Sequence, residues 1–147
     1  MPEKETIRKA RQDKREGKSP STQAGEFVHE EIEHIREGKH GARSTKQAIA
    51  IGLSKARRAG VKLPPPAKGM TSASTRKRAA HDLESGATHH KASTSRARAS
   101  RKALKDAPHA AASKAALSRH AKSAAHKRSA ASRHESAVRA ARTRARQ

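Results

Sequence analysis

The scarcity of large apolar side chains is the feature that most limits what this chain can fold into. The 147 residues include one aromatic, Phe27, and much of the 32% hydrophobic share is alanine. Ordering the backbone costs about 1–2 kcal/mol per residue, and so little apolar area cannot offset that cost along the whole chain. The large apolar residues are concentrated in the first 63 positions. The sequence therefore predicts a small ordered unit followed by a long segment that is disordered when free.

Turn signals divide the first part into three predicted helices, at about residues 3–16, 20–37 and 45–59. The second begins with Ser19-Pro20, an N-cap followed by proline at the first helical position. The third begins with Ser44 and Gln47, which have the spacing of a capping box, and it ends at Gly60, where a left-handed C-cap glycine belongs. The predicted apolar stripes are Ala24, Phe27, Val28, Ile32 and Ile35 on the second helix, and Ala48, Ile49, Gly52, Leu53 and Ala56 on the third.

Two helices with one apolar stripe each and a short connection containing glycine are expected to pack together. The predicted fold class is a small all-α unit of two to three helices over residues 1–63, a helical hairpin or a helix-turn-helix-like core. Such a unit is near the lower size limit for independent folding, so a homodimer through leftover apolar surface at Ile51 is plausible.

A change of composition marks the end of this predicted domain at Pro64-Pro65-Pro66. The three prolines favour an extended linker over residues 64–69. Residues 70–147 form a low-complexity tail rich in Ala, Ser, Lys and Arg. Ala and Arg favour helix, but mutual repulsion of the cations opposes it until an anion neutralises them. The tail is therefore predicted to be disordered when free and partly helical when bound.

The net charge of +22 points to a polyanionic partner, of which nucleic acid is the commonest. Residues 1–63 carry 15 Lys and Arg and nine Asp and Glu, whereas residues 64–147 carry 20 and four. The strongest functional signal is therefore the basic tail, since each cation placed on a phosphate releases condensed counterions. The tail has no Phe, Tyr or Trp on which bases could stack, which favours duplex DNA over single strands.

The candidate phosphate contacts fall at the two ends of the third predicted helix and along the tail. The alternative for the third helix is that Ser44 and Gln47 only cap it and its cations form a solvated face. Sequence-specific reading of bases by Arg43 or Gln47 is a further alternative. The predicted nucleic-acid-binding residues are Arg43, Lys46, Lys55, Arg57, Arg58, Arg76, Lys77, Arg78, Arg96, Arg98, Arg101, Lys102, Arg119, Lys122, Lys127, Arg128, Arg133, Arg139, Arg142, Arg144 and Arg146.

No motif predicts catalysis, a cofactor or a metal site. His29 and His34 briefly resemble the histidine pair of a zinc protease, but they are five residues apart instead of four and so do not share a helix face. The sequence has no cysteine, no glycine-rich phosphate loop and no nucleophile elbow. The protein is therefore expected not to be an enzyme, and without a signal peptide or an apolar span it is expected in the cytoplasm, at the nucleoid.

The runs Ser19–Val28 and Arg36–Gly60 resemble a family of small basic bacterial proteins of uncharacterised function, loosely labelled DNA-binding or plasmid-stabilisation proteins. The resemblance covers about residues 6–66, and it implies a compartment and a class of protein more than a mechanism. In composition, the tail is weakly similar to the basic tails of bacterial histone H1-like proteins, although it lacks their regular Pro-Lys-Lys-Ala repeats.

Three functions remain open on the sequence. The favoured one is nucleoid- or plasmid-associated DNA binding and compaction through the tail. The second is an RNA-binding or ribosome-associated protein that uses the same cations on folded RNA. The third is a protein-interaction or stress module in which the helical hairpin works through an acidic patch. The members of that patch are Glu26, Glu30, Glu31, Glu33 and Glu37.

Overall fold

The computed structural model describes residues 2–88 and 93–146 and is all-α in these ranges. A short 3-10 turn at Ala110–Ala112 and one isolated bridge between Lys68 and Thr71 accompany the helices. The described helices are α1 (Lys4–Arg15), α2 (Pro20–Arg36), α3 (Thr45–Arg58), α4 (Ala73–Thr88), α5 (Thr94–Lys105), α6 (Lys114–His126) and α7 (Ala130–Arg144). None of them is long and apolar enough to cross a bilayer.

The predicted disordered tail is wrong, because described residues beyond the proline linker form four helices. Alanine loses no side-chain entropy on entering a helix and has the most favourable helix propensity. In these segments that propensity outweighs the repulsion between cations on which the prediction relied. Local hydrogen bonds also fix helix starts. Ser129, for example, accepts a hydrogen bond from the Ser132 N–H at the start of α7.

The predicted free-standing helical hairpin is also wrong. The structure divides into two compact units, residues 1–113 and residues 114–147, so the first unit continues well past the proline linker. In this unit α2 and α3 pack on each other as expected, but α1 packs on α2 and α4 packs on α3. The hairpin is thus the centre of a larger helical assembly. The second unit comprises α6 and α7.

The predicted ends of α3 are confirmed in detail. The Gln47 N–H donates to Ser44 Oγ at 3.2 Å, and Gln47 Oε1 accepts from the Arg43 N–H at 2.8 Å. At the other end Gly60 has a φ of +93°, and the Val61 N–H donates to the Ala56 carbonyl at 3.0 Å. This is a Schellman ending, and it turns Val61 back into the core.

The core is built from small residues around one aromatic. Phe27 is 1% exposed and clusters with Ala10, Ala24, Ala56 and Val61. Gly52 allows α3 to lie against α2, since a Cβ there would be 2.7 Å from the Val28 Cα. Backbone proximity therefore compensates for the shortage of large side chains.

The segment after α5 closes the other end of the first unit. The Gly41 N–H donates to the Leu104 carbonyl at 2.8 Å, and the Ala42 N–H donates to the Pro108 carbonyl at 2.9 Å. Thr45 Oγ1 donates to the Ala111 carbonyl at 2.7 Å in a buried contact. Residues 104–112, part of the predicted tail, thus complete the connection between α2 and α3.

Replacing Gly86 with alanine tests whether α4 docks on α3 as described. A Cβ at Gly86 would lie 2.0 Å from the Arg57 carbonyl oxygen, so the two helices must separate to accept it. Gly86→Ala is expected to lower the free energy of unfolding by about 1–3 kcal/mol, measured by urea denaturation.

Gly25→Ala is the matched control, because Gly25 lies within α2 and a Cβ added there would meet no atom of another described element within 4 Å. It is expected to raise the free energy of unfolding by up to about 1 kcal/mol through helix propensity. Equal stabilisation by both substitutions would contradict the close contact of α4 with α3.

Candidate nucleic-acid interface

Lys55, a predicted phosphate contact on α3, is engaged inside the protein. Its Nζ lies 2.6 Å from Glu31 Oε2 and 4.0 Å from Glu30 Oε2. Glu31 is fully buried, and a buried carboxylate that loses its cation is strongly destabilising. Lys55 is therefore committed to α2, and part of the acidic patch seen in the sequence points inward.

Arg57 is likewise turned away from solvent. The residue is 6% exposed, its Nε donates to the Leu63 carbonyl at 3.1 Å, and its Nη2 donates to the Pro64 carbonyl at 3.2 Å. Burial lowers the pKa of the Arg57 guanidinium from its ordinary value. These bonds tie the chain after Gly60 to α3, so the structure gives Arg57 a structural role.

Arg58 joins α3 to α4 through Asp82. Its Nη2 lies 2.7 Å from Asp82 Oδ1, and its Nε donates to the same oxygen at 2.8 Å. Ser54 Oγ donates to the second oxygen, Asp82 Oδ2, at 2.7 Å. The Arg58 side chain remains 58% exposed, so it can still present positive charge at the surface while it orients α4.

Arg43 and Lys46 are exposed at the N-terminal end of α3. Ser44 caps the helix there, and Gln47 bonds the Arg43 backbone instead of reaching outward. Gln47 was considered above as a residue that could contact base edges, but its amide oxygen is used in the helix cap. Two exposed cations beside a helix N-terminus suit a phosphate.

The remaining predicted contacts lie on or next to the later helices, and nearly all are exposed. Arg76 on α4 is half-buried. The exposed ones are Lys77 and Arg78 on α4, Arg96, Arg98, Arg101 and Lys102 on α5, Arg119 and Lys122 on α6, Lys127 and Arg128 between α6 and α7, Arg133, Arg139, Arg142 and Arg144 on α7, and Arg146 beyond it.

On α5 four exposed cations form one continuous basic stripe. Arg98, Arg101, Lys102 and Lys105 have the spacing i, i+3, i+4 and i+7, which puts them on one helix face. The helix contains no acidic residue that could neutralise them. Lys105 was not among the predicted contacts, although its spacing from Arg98 is readable once α5 is known to be a helix.

The second compact unit carries shorter basic faces of the same kind. Arg119 and Lys122 are three residues apart on α6, as are Arg139 and Arg142 on α7. Arg128 and Arg139 of this unit have partners of their own. Arg128 Nη2 donates to the Ser132 carbonyl at 2.8 Å, and Arg139 Nη2 lies 3.7 Å from Glu135 Oε2. Both remain exposed and accessible to phosphate.

Comparison with known proteins gave a match to one family model, over the first part of the chain. Residues 4–67 match the model of a family of unknown function (DUF6496). The match spans α1, α2, α3 and the three prolines at 64–66. No curated protein and no solved structure gave a significant match. The family description names no activity, and the match does not extend to α4 or the helices beyond it.

Replacing Arg57 separates a structural role from phosphate binding. Arg57→Ala removes the charged donor from two backbone carbonyls, and we expect the free energy of unfolding to fall by about 1.5–3 kcal/mol in urea denaturation. Arg43→Ala removes the same charge at an exposed site, and we expect it to change the free energy of unfolding by less than about 0.5 kcal/mol. A fully stable Arg57→Ala protein that binds DNA more weakly would show instead that Arg57 contacts phosphate.

Proposed function

We propose that this protein binds nucleic acid without sequence specificity, by placing basic helix faces against phosphates, and that duplex DNA of the nucleoid or of a plasmid is its partner. The observation that carries the proposal is the α5 stripe, in which four exposed cations share one face of a helix that lacks acidic residues. Fixed on a helix, the cations meet a phosphate backbone with less loss of freedom than cations on a disordered chain.

The distribution of ion pairs supports the same interface. In the first unit, Lys55 of α3 is paired with Glu31, and Arg58 of α3 is paired with Asp82. By contrast, α5 and α6 contain no acidic residue at all. Much of the net charge of +22 is therefore available to a polyanion.

Duplex DNA is favoured over single strands and over RNA loops by the position of the aromatic residue. Proteins that read unpaired bases commonly stack them on exposed aromatic side chains. The only Phe, Tyr or Trp in the chain is Phe27, which lies in the core at 1% exposure. Contacts to the phosphate backbone remain available, and they carry no base specificity.

Binding to structured RNA is the second candidate, because a phosphate-binding stripe does not by itself distinguish two kinds of duplex. Competition between duplex DNA and structured RNA of equal length decides between them. Preference for the RNA by about tenfold or more would replace the DNA assignment, since that ratio corresponds to about 1.4 kcal/mol. The acidic-patch alternative has less support, since Glu30 and Glu31 are buried and face Lys55.

The salt dependence of DNA affinity tests the proposal. If about eight phosphates are engaged, log affinity should fall with log salt at a slope near −7. Fluorescence anisotropy with a labelled duplex over a range of NaCl concentrations measures this slope. A flat salt response would contradict phosphate binding.

Neutralising the α5 stripe tests its place in the interface. Changing Arg98, Arg101, Lys102 and Lys105 to Gln should make the slope shallower by up to about 3.6, or about 0.9 per lost phosphate contact. The matched control changes four exposed cations of α1 to Gln and so alters the net charge equally. Those cations are Lys4, Lys9, Arg11 and Lys14. An equal effect of both variants would show that only total charge matters.

A further inference from the structure

Glu31 is a fully buried carboxylate with one oxygen that lacks a hydrogen-bond donor among the described residues. Its Oε2 accepts from Lys55 Nζ at 2.6 Å, whereas Oε1 has no hydrogen-bond partner in this part of the chain. His40 Nε2 lies 3.4 Å from Oε1. Leaving a buried carboxylate oxygen unsatisfied is costly, so the site needs a cation or a proton at this position.

The surroundings of His40 favour a cation. Its Nδ1 lies 3.2 Å from the Gly41 carbonyl oxygen. A carbonyl oxygen only accepts, so this contact places a proton on Nδ1, and the single lone pair of the neutral ring is then on Nε2. In the neutral ring, the lone pair of Nε2 then faces the Glu31 carboxylate. A backbone carbonyl on the far nitrogen is also the usual way in which proteins orient a histidine that binds metal.

We propose that Glu31, His34 and His40 bind a divalent transition-metal ion, with Zn²⁺ the best match among common ions. One ligand atom from each residue lies within 4.8 Å of the others. Two imidazoles and one carboxylate suit Zn²⁺ better than Mg²⁺ or Ca²⁺, which prefer oxygen ligands throughout. Glu31 and His34 stand one turn apart on α2, and His40 comes from the connection to α3.

The distance between the two innermost ligand atoms fits zinc geometry. Glu31 Oε1 and His40 Nε2 are 3.4 Å apart. With an ion about 2.1 Å from each of them, the ligand–ion–ligand angle would be about 108°, close to the tetrahedral value. The rings of His34 and His40 meet edge to face with centroids 6.0 Å apart. The ligand atom of His34 lies within 4.8 Å of the other two, so a side-chain movement of at most about 1.4 Å would bring it to about 3.4 Å, the separation of tetrahedral zinc ligands.

Neighbouring carboxylates supply negative charge and a fourth ligand. Glu3, Glu30 and His34 form a second group whose ligand atoms lie within 4.8 Å of one another. Glu30 Oε2 is also buried without a hydrogen-bond donor among the described residues. The Lys and Arg side chains paired with Glu3, Glu30 and Glu31 in the described ranges are Lys39, which is shared with Glu37, and Lys55, so the three carboxylates carry an excess of negative charge over these two cations. A divalent cation offsets that excess.

Zinc binding by the full-length protein tests this site independently of DNA binding. Isothermal titration with Zn²⁺ should detect one tight site that His34→Gln and His40→Gln each weaken by about tenfold or more, the usual cost of losing one zinc ligand or its support. Circular dichroism verifies that the variants fold.

His29→Gln is the matched control, because His29 lies on the same helix but outside the ligand group. It should leave the affinity unchanged. Loss of binding in His29→Gln alone, or unchanged binding in His34→Gln and His40→Gln, would overturn the proposal.

Thermal unfolding provides a second readout, because an ion held between α2 and the following connection stabilises the fold. At about a hundredfold excess over its Kd, Zn²⁺ should raise the Tm by about 10 °C. The same Mg²⁺ concentration should have little effect. An equal shift with Mg²⁺, or a Zn²⁺ shift that survives in both His34→Gln and His40→Gln, would assign the binding to other groups.

Discussion

Close backbone contact at small residues holds the first compact unit together. Gly52 lets α3 approach the Val28 backbone of α2, and Gly86 lets α4 approach the Arg57 carbonyl on the other side of α3. Since dispersion forces depend on short distances, a core with one aromatic residue can still be densely packed if the helices lie close together. The position of α3 between α2 and α4 depends on these contacts, as does the alignment of the polar groups described above.

That packing also sorts the charges. Lys55 and Arg58, which are equivalent to other cations in the sequence, meet Glu31 and Asp82 because α2 and α4 flank α3. The stripe on α5 has no such acidic partner on its own helix. The proposed nucleic-acid contacts therefore lie mainly on the later helices and at the N-terminal end of α3, and the C-terminal half of α3 serves the fold.

The proposed metal site arises from the same arrangement. Glu31 is fully buried, and Lys55 of α3 satisfies only one of its two oxygens. His40 lies beside the other oxygen, in a connection whose next residues, Gly41 and Ala42, are hydrogen-bonded to the Leu104 and Pro108 carbonyls. The two histidines of the site, His34 and His40, are separated by a helix end, and spacing rules for a single helix do not test such a pair.

The sequence by itself determined the local structure of the first part. Ser44, Gln47 and Gly60 fixed the ends of α3, since capping depends on hydrogen bonds within a few residues. The stripe from Ala24 to Ile35 likewise identified the buried face of α2, because helical periodicity is a local property. Net charge and the scarcity of aromatics, which follow from composition alone, led to the proposal of a polyanionic partner.

Only the tertiary structure decided which polar groups meet. Nothing in the spacing of Arg58 and Asp82, or of Glu31, Lys55 and His40, reveals that they are neighbours, because each contact joins different helices or loops. Composition also predicted, wrongly, that the segment forming the later helices would be disordered. Repulsion along a basic chain is visible in the sequence, whereas docking of Gly86 on α3 and of Ala111 on Thr45 is not. These contacts depend on backbone approach, for which glycine and alanine leave almost no signal in a low-complexity segment.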